Sequence, residues 1–222
     1  MNGPVLVLAP HPDDEVLGVG GTMARLSTAG EEVYVAIVTR GMPPHWDEPF
    51  IERGRREAAE AHHVLGVRET FFLDFPAAAL DTVAHRDLNA RMGEVFARVR
   101  PRTVFVPFLG DIHADHQAVF ASALVASRPS TPAPPERVLA YETLSETNWN
   151  APYITPGFAP NVFSDISGWI DDKIRAMECF SSQLKPFPHE RSTQTLRALA
   201  TLRGSTVGTA AAEAFVLVRH VW

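Results

Sequence analysis

The chain has 222 residues, 45% of them hydrophobic, enough to build the core of an α/β protein of ordinary size. A formal net charge of −6 argues against a nucleic acid or an anionic membrane as the main partner. There is one cysteine, Cys179, no basic leader with a cleavage site, and no apolar run near the ~20 residues of a membrane span, so the cytoplasm is the expected compartment.

In chain order, the first element is the unbroken apolar run Val5–Ala9, which reads as a strand buried on both faces. Helical spacing follows over 15–29. A second buried strand is expected at Val33–Val38, a helix over 51–65, and a third strand at Thr70–Phe72 and Leu73. Leu65-Gly66-Val67 looks like a helix C-cap. A helix over 86–100 leads to a fourth strand at Thr103–Val106, and a helix over 116–127 to a fifth at Val138–Tyr141. Pro129 through Pro135 is a surface loop, and Ser145 through Asn161 is a longer irregular stretch of the kind that carries function. Helices over 167–183 and 192–203 precede a late strand at Ala214–Val218. Cys179 sits in an apolar helical stretch and reads as a packing residue. This alternation predicts a three-layer α/β/α fold with a mostly parallel sheet, of order 3-2-1-4-5 plus the late C-terminal strand.

Two clusters carry chemistry. Pro10-His11-Pro12-Asp13-Asp14-Glu15 follows the first strand, and Gly110-Asp111-Ile112-His113-Ala114-Asp115-His116 follows the fourth. In the expected order strands 1 and 4 are neighbours, and the sheet reverses direction between them. Ligands bind outside the carboxyl ends of strands at such a point, so both clusters face one crevice. Imidazole and carboxylate ligands suit zinc or a neighbouring divalent metal. His11, Asp14 and His116 can supply three ligands and leave a position open. Asp13 is then free to take a proton from a water, and His113 to protonate a leaving group. Asp115 can accept from an imidazole N–H and hold its tautomer. Read alone, the first cluster serves equally well as a helix N-cap, and Glu15 suits the helix dipole or a buried base. The two clusters together favour the metal.

The same segments resemble the PIG-L/LmbE-like family of zinc-dependent N-acetylglucosaminyl deacetylases. The resemblance rests on Pro10–Glu15 and His113–His116. It extends through Arg56-Glu57 to Leu65-Gly66-Val67, Tyr141-Glu142 to Trp149, Pro160–Phe163, Ser182-Gln183, Arg203-Gly204 and Ala212–Phe215, which is nearly the whole chain. It implies a Rossmann-like fold, residues 1–222 as one deacetylase domain, and removal of an N-acetyl group from an amino sugar or its conjugate. It also implies one zinc ion on His11, Asp14 and His116, a general base at Asp13 and a catalytic imidazole at His113. Another divalent metal can occupy such ligands, and family members often associate, which allows a homo-oligomer. The family usually has proline where this chain has Ala114, so the second motif is freer here.

An amino-sugar substrate needs hydrogen-bonding groups and an aromatic face. The candidates are Glu146 and Trp149 in the long loop, and Arg56 and Arg191 for a phosphate or carboxylate, with Arg203 as a further arginine. His45, Trp46 and Asp47 follow the second strand and can rim the pocket. His62 and His63 are mid-helix and read as exposed or packed. Competing readings are an amidase for another small N-acyl substrate, such as a thiol–sugar conjugate, and a non-catalytic sugar-binding domain. Gly18, Gly20 and Gly21 hint at a nucleotide, but they lie inside the helix and not in the turn that a dinucleotide needs.

Overall fold

In a computed structural model that describes residues 3–222, seven strands form one sheet in the order β3-β2-β1-β4-β5-β7-β6. β1 (Val5–Ala9), β2 (Val33–Arg40), β3 (Glu69–Pro76), β4 (Thr103–Pro107) and β5 (Arg137–Tyr141) are parallel neighbours as the sequence predicts. β7 (Ala212–His220) returns antiparallel on β5, and β6 (Val162–Asp165) pairs antiparallel with β7. Sequence reading leaves β6 out: four residues ending in Ser-Asp give no periodicity, and β7 is what makes them a strand.

The helices are α1 (Asp14–Thr28), α2 (Glu48–Leu65), α3 (His85–Val99), α4 (Ala114–Ala126), α5 (Ile170–Cys179) and α6 (Thr193–Val207). α2 begins three residues earlier than its apolar spacing suggests, because Asp47 accepts from the Phe50 amide at 2.9 Å and Pro49 suits the first turn. Gly66 closes it in the left-handed conformation. α5 is shorter than expected and α6 longer, with Ser192 as the N-cap of α6. Among the described residues no helix is long and apolar enough to cross a membrane.

Alternate residues of each central strand enter different cores. Val5, Val7 and Ala9 pack with α1, α2, α5 and α6, while Leu6 and Leu8 pack with α3 and α4. Cys179 packs against the first of these cores. The glycines of α1 serve this packing: a Cβ on Gly18 would stand 2.2 Å from the Tyr141 ring, and one on Gly21 would stand 2.7 Å from Ile166. The Tyr141 hydroxyl donates to the Leu8 carbonyl at 2.8 Å, locking β5 to β1. Both chemical clusters therefore leave a rigid sheet at adjoining strand ends.

Candidate active site

Where β1 ends, the chain turns sharply into α1. Asp13 is the residue before the helix and has φ 104°, a conformation costing a non-glycine residue about 1–3 kcal/mol. The Glu15 carboxylate accepts the Asp13 amide at 3.2 Å, and the Asp13 carbonyl accepts the Val16 and Leu17 amides at 3.0 and 2.9 Å. Glu15 is itself held by His62 Nε2 at 3.1 Å, and His62 Nδ1 meets the Thr70 hydroxyl at 2.6 Å. Glu15 thus pairs with a buried base, and His62 is packed rather than exposed.

The turn brings His11 and Asp14 against His116 at the start of α4. His11 Nδ1 and His116 Nε2 each lie 3.2 Å from Asp14 Oδ2, and the two ring centroids are 5.4 Å apart. One ligand atom from each of the three residues falls within 4.8 Å of the others. The outer nitrogens are occupied: His11 Nε2 by Asp115 Oδ2 at 3.0 Å, and His116 Nδ1 by Asp111 Oδ2 at 2.8 Å. An ionised carboxylate only accepts, so each outer nitrogen carries a proton, and each inner nitrogen offers a lone pair once a cation displaces the proton there. His116 Nε2 and Asp14 Oδ1 are buried with no hydrogen-bond partner. Leaving a buried polar atom unpaired costs about 1–3 kcal/mol, and a divalent cation between these atoms would satisfy them. The residues fit a metal.

The electrostatics agree. Burial pulls both imidazoles down, but the carboxylates outweigh it: Asp115 and Asp14 raise His11 to about 9, and Asp14 and Asp111 raise His116 to about 10. Asp14 is held well below the usual carboxylate range by His116 and His11, against its burial. A site that draws protons this strongly lacks positive charge, and a cation can replace them.

Asp13 and His113 flank the three ligands. Burial raises the Asp13 carboxyl to about 8, although the Arg191 guanidinium opposes this from 3.0 Å. His113 caps α4, its Nδ1 accepting the Asp115 amide at 3.1 Å, so the neutral ring carries its proton on Nε2. Burial, then the His11 charge, lowers its pKa. The neutral His113 ring is therefore an N–H donor through Nε2, whereas the sequence alone suggests a proton donor to the leaving group. Asp115 also accepts the Ala78 and Leu80 amides at 2.7 and 3.1 Å, which fixes it as the support of His11.

A cavity of about 310 Å³ opens beside this cluster, with His11, Asp13 and His113 in its lining. Of the substrate candidates, Glu146 and Arg191 line it. The Arg191 Nε donates to Ser145 at 3.0 Å, and Nη2 stands 3.6 Å from Glu146. Arg56 does not reach the cavity: it is exposed on α2, and its neighbour Arg55 lines the wall instead. Trp149 is 56% exposed outside the cavity, while Trp46 lines it, as expected of the loop after β2. Arg203 is engaged by Glu142 through two hydrogen bonds of 2.7 and 2.6 Å. Sequence reasoning assigned no role to Asp111. Its place in the second cluster, five residues before His116, was the available signal.

The family described as PIG-L: GlcNAc-PI de-N-acetylase matches residues 6–127, the span holding both clusters. An uncharacterized deacetylase, YaiS, of Escherichia coli is 31% identical over 170 residues, covering 73% of this chain and 81% of its own length. A diacetylchitobiose deacetylase of Thermococcus kodakarensis is 28% identical over 98% of this chain and 84% of its own. The crystal structure of a conserved protein from Thermus thermophilus superposes with TM-score 0.81 at 31% identity, covering 98% of this chain and 96% of that one. The chain belongs to the PIG-L family of de-N-acetylases.

Proposed function

We propose that the protein is a metal-dependent N-deacetylase that cleaves an N-acetyl amino sugar or its conjugate into acetate and a free amine. The observation that carries this reading is the pair of unpartnered buried atoms, His116 Nε2 and Asp14 Oδ1, beside Asp13 and His113 at a cavity. His11, Asp14 and His116 would hold the cation, and two imidazoles with one carboxylate suit zinc. When bound, it supplies Lewis-acid polarisation of the acetamide carbonyl and acidifies a water.

This chain's own residues do the rest. Asp13 takes a proton from the attacking water as the C–O bond forms, its raised proton affinity suiting a base at neutral pH. Arg191 and the turn fix the direction of its carboxylate. The His113 Nε2–H donates to the developing oxyanion. Asp13 then passes its proton to the nitrogen as the amide C–N bond breaks, so the leaving group departs as a neutral amine. Asp115 and Asp111 hold the two imidazoles through these steps. The lone cysteine supports a reducing, cytoplasmic setting.

The test combines metal analysis with acetate release from a panel of N-acetyl sugars. About one cation per chain and metal-dependent acetate release are expected. Bound metal with no acetate from any sugar would overturn the deacetylase reading in favour of another N-acyl substrate.

A further inference from the structure

The backbone of Asp13 stands at φ 104°, and a residue with a Cβ keeps that conformation only while its surroundings over-determine it. Its carbonyl is tied into α1, which begins at the next residue. Its amide donates to Glu15 Oε2 at 3.2 Å. The direction in which the Asp13 carboxylate leaves the turn depends on both ties, so whatever holds Glu15 also aims the base.

Glu15 is fully buried, and a carboxylate in such a place needs donors on both oxygens. Oε2 has the Asp13 amide, and Oε1 has His62 Nε2 at 3.1 Å. His62 is almost as enclosed, on the inner face of α2 among Ala58, Ala61 and Leu65. An apolar side chain would fill that position, whereas an imidazole there demands a partner for each nitrogen. Nδ1 has one in the Thr70 hydroxyl of β3, at 2.6 Å. An ionised carboxylate only accepts, so Nε2 carries the proton that Glu15 takes. A line of hydrogen bonds thus runs from Thr70 on an edge strand, through His62 and Glu15, to the Asp13 amide. None of these three side chains lines the cavity, so none of them touches a substrate held there.

We propose that His62 is a positioning residue for the reaction: by donating to Glu15 it keeps the Asp13 backbone in the strained turn, and so aims the base at the attacking water from outside the site. Thr70 fixes the imidazole in the required orientation. The catalytic part of this proposal rests on the deacetylase reading.

His62→Leu and His62→Gln separate positioning from packing. Both side chains come close to the volume of the imidazole, and only glutamine can donate to Glu15. A small misplacement of a reacting group is costly, so in His62→Leu kcat for acetate release should fall about ten-fold or more, with KM and metal content unchanged. His62→Gln should recover most of that loss, although both variants lose stability. Amide hydrogen exchange at Asp13 gives a readout that needs no substrate; it should be faster in His62→Leu than in wild type or His62→Gln. Should the leucine variant not fold, Thr70→Val carries the test, as an isosteric change at a half-buried position of the edge strand. It should lower kcat about three-fold at unchanged KM through the loss of one hydrogen bond, and an unchanged kcat would overturn the proposal.

Equal kcat in the leucine and glutamine variants, or Asp13 exchange as slow in His62→Leu as in wild type, also overturns it. So does loss of the metal from His62→Leu, because His62 would then support a ligand and not the base. These results in an active wild type remove the positioning role alone. A wild type that releases acetate from no sugar overturns the deacetylase reading and the catalytic role of His62 with it.

Discussion

Two of the groups of charges buried among the described residues are treated in opposite ways. Between α1, α5 and β7, Lys173 Nζ donates to Glu213 at 2.6 Å and to the Leu17 carbonyl at 2.7 Å. Glu213 also accepts the Gly21 and Thr22 amides at 2.9 and 2.7 Å. Both carboxylate oxygens and the ammonium have partners. At the ends of β1 and β4, four aspartates and three histidines are crowded together, yet His116 Nε2 and Asp14 Oδ1 have none. The first group closes on itself and is structural. The second is left open where a cation fits, which makes it a site.

Substitutions can break this distinction at several points. Asp13→Asn should lower kcat by about 10²–10⁴-fold, the usual contribution of a positioned base, with metal content near that of wild type. Loss of the metal instead would mean that the two neighbouring aspartates exchange roles. Lys173→Met should cost about 3–5 kcal/mol in chemical denaturation, because Glu213 is left buried without its cation. That variant, refolded, should still bind metal as wild type does; a fall in metal affinity equal to that of an active-site variant would erase the contrast. Asp111→Asn should weaken metal binding by about 10–100-fold, since Asp111 sets the His116 tautomer. Unchanged affinity would reduce Asp111 to a packing group.

A further effect is on pH. In the metal-free protein His11 and His116 sit at about 9 and 10, above their unfolded value of 6.5, and Asp13 sits at about 8, above 3.8. The folded state therefore holds more protons than the unfolded one across this range, and its stability falls as pH rises. The histidine contribution is complete below about 6.5 and is lost as pH rises through about 9 to 10. Denaturation at pH 6.5 and 9 should show this loss in the stripped protein and a smaller one with metal bound. A stripped protein that gains stability with pH would contradict the arrangement.

How much of this could be read from the chain depends on sequence distance. The two clusters are short motifs at strand ends, and the parallel order of β1 to β5 follows from continuous apolar runs, so the metal end of the cavity was legible. The supports were not. His62 meets Glu15 from 47 residues away, and Lys173 meets Glu213 across 40, through helix packing that no local pattern records. The distal end fails for a different reason. One residue along α2 turns a side chain by about 100°, which is why Arg55 enters the cavity and Arg56 faces solvent. Spacing identifies an arginine-rich helix but not its rotation. An aromatic in a long loop suits a sugar, yet Trp149 is exposed outside the cavity, and Trp46 lines the wall.

The whole account rests on one ion shared by residues from both clusters. Calorimetric titration of metal-stripped wild type and His116→Ala with zinc tests it most directly. We expect one tight site per chain in wild type and none in the variant. Equal binding by the two proteins, or no binding by wild type, would contradict it.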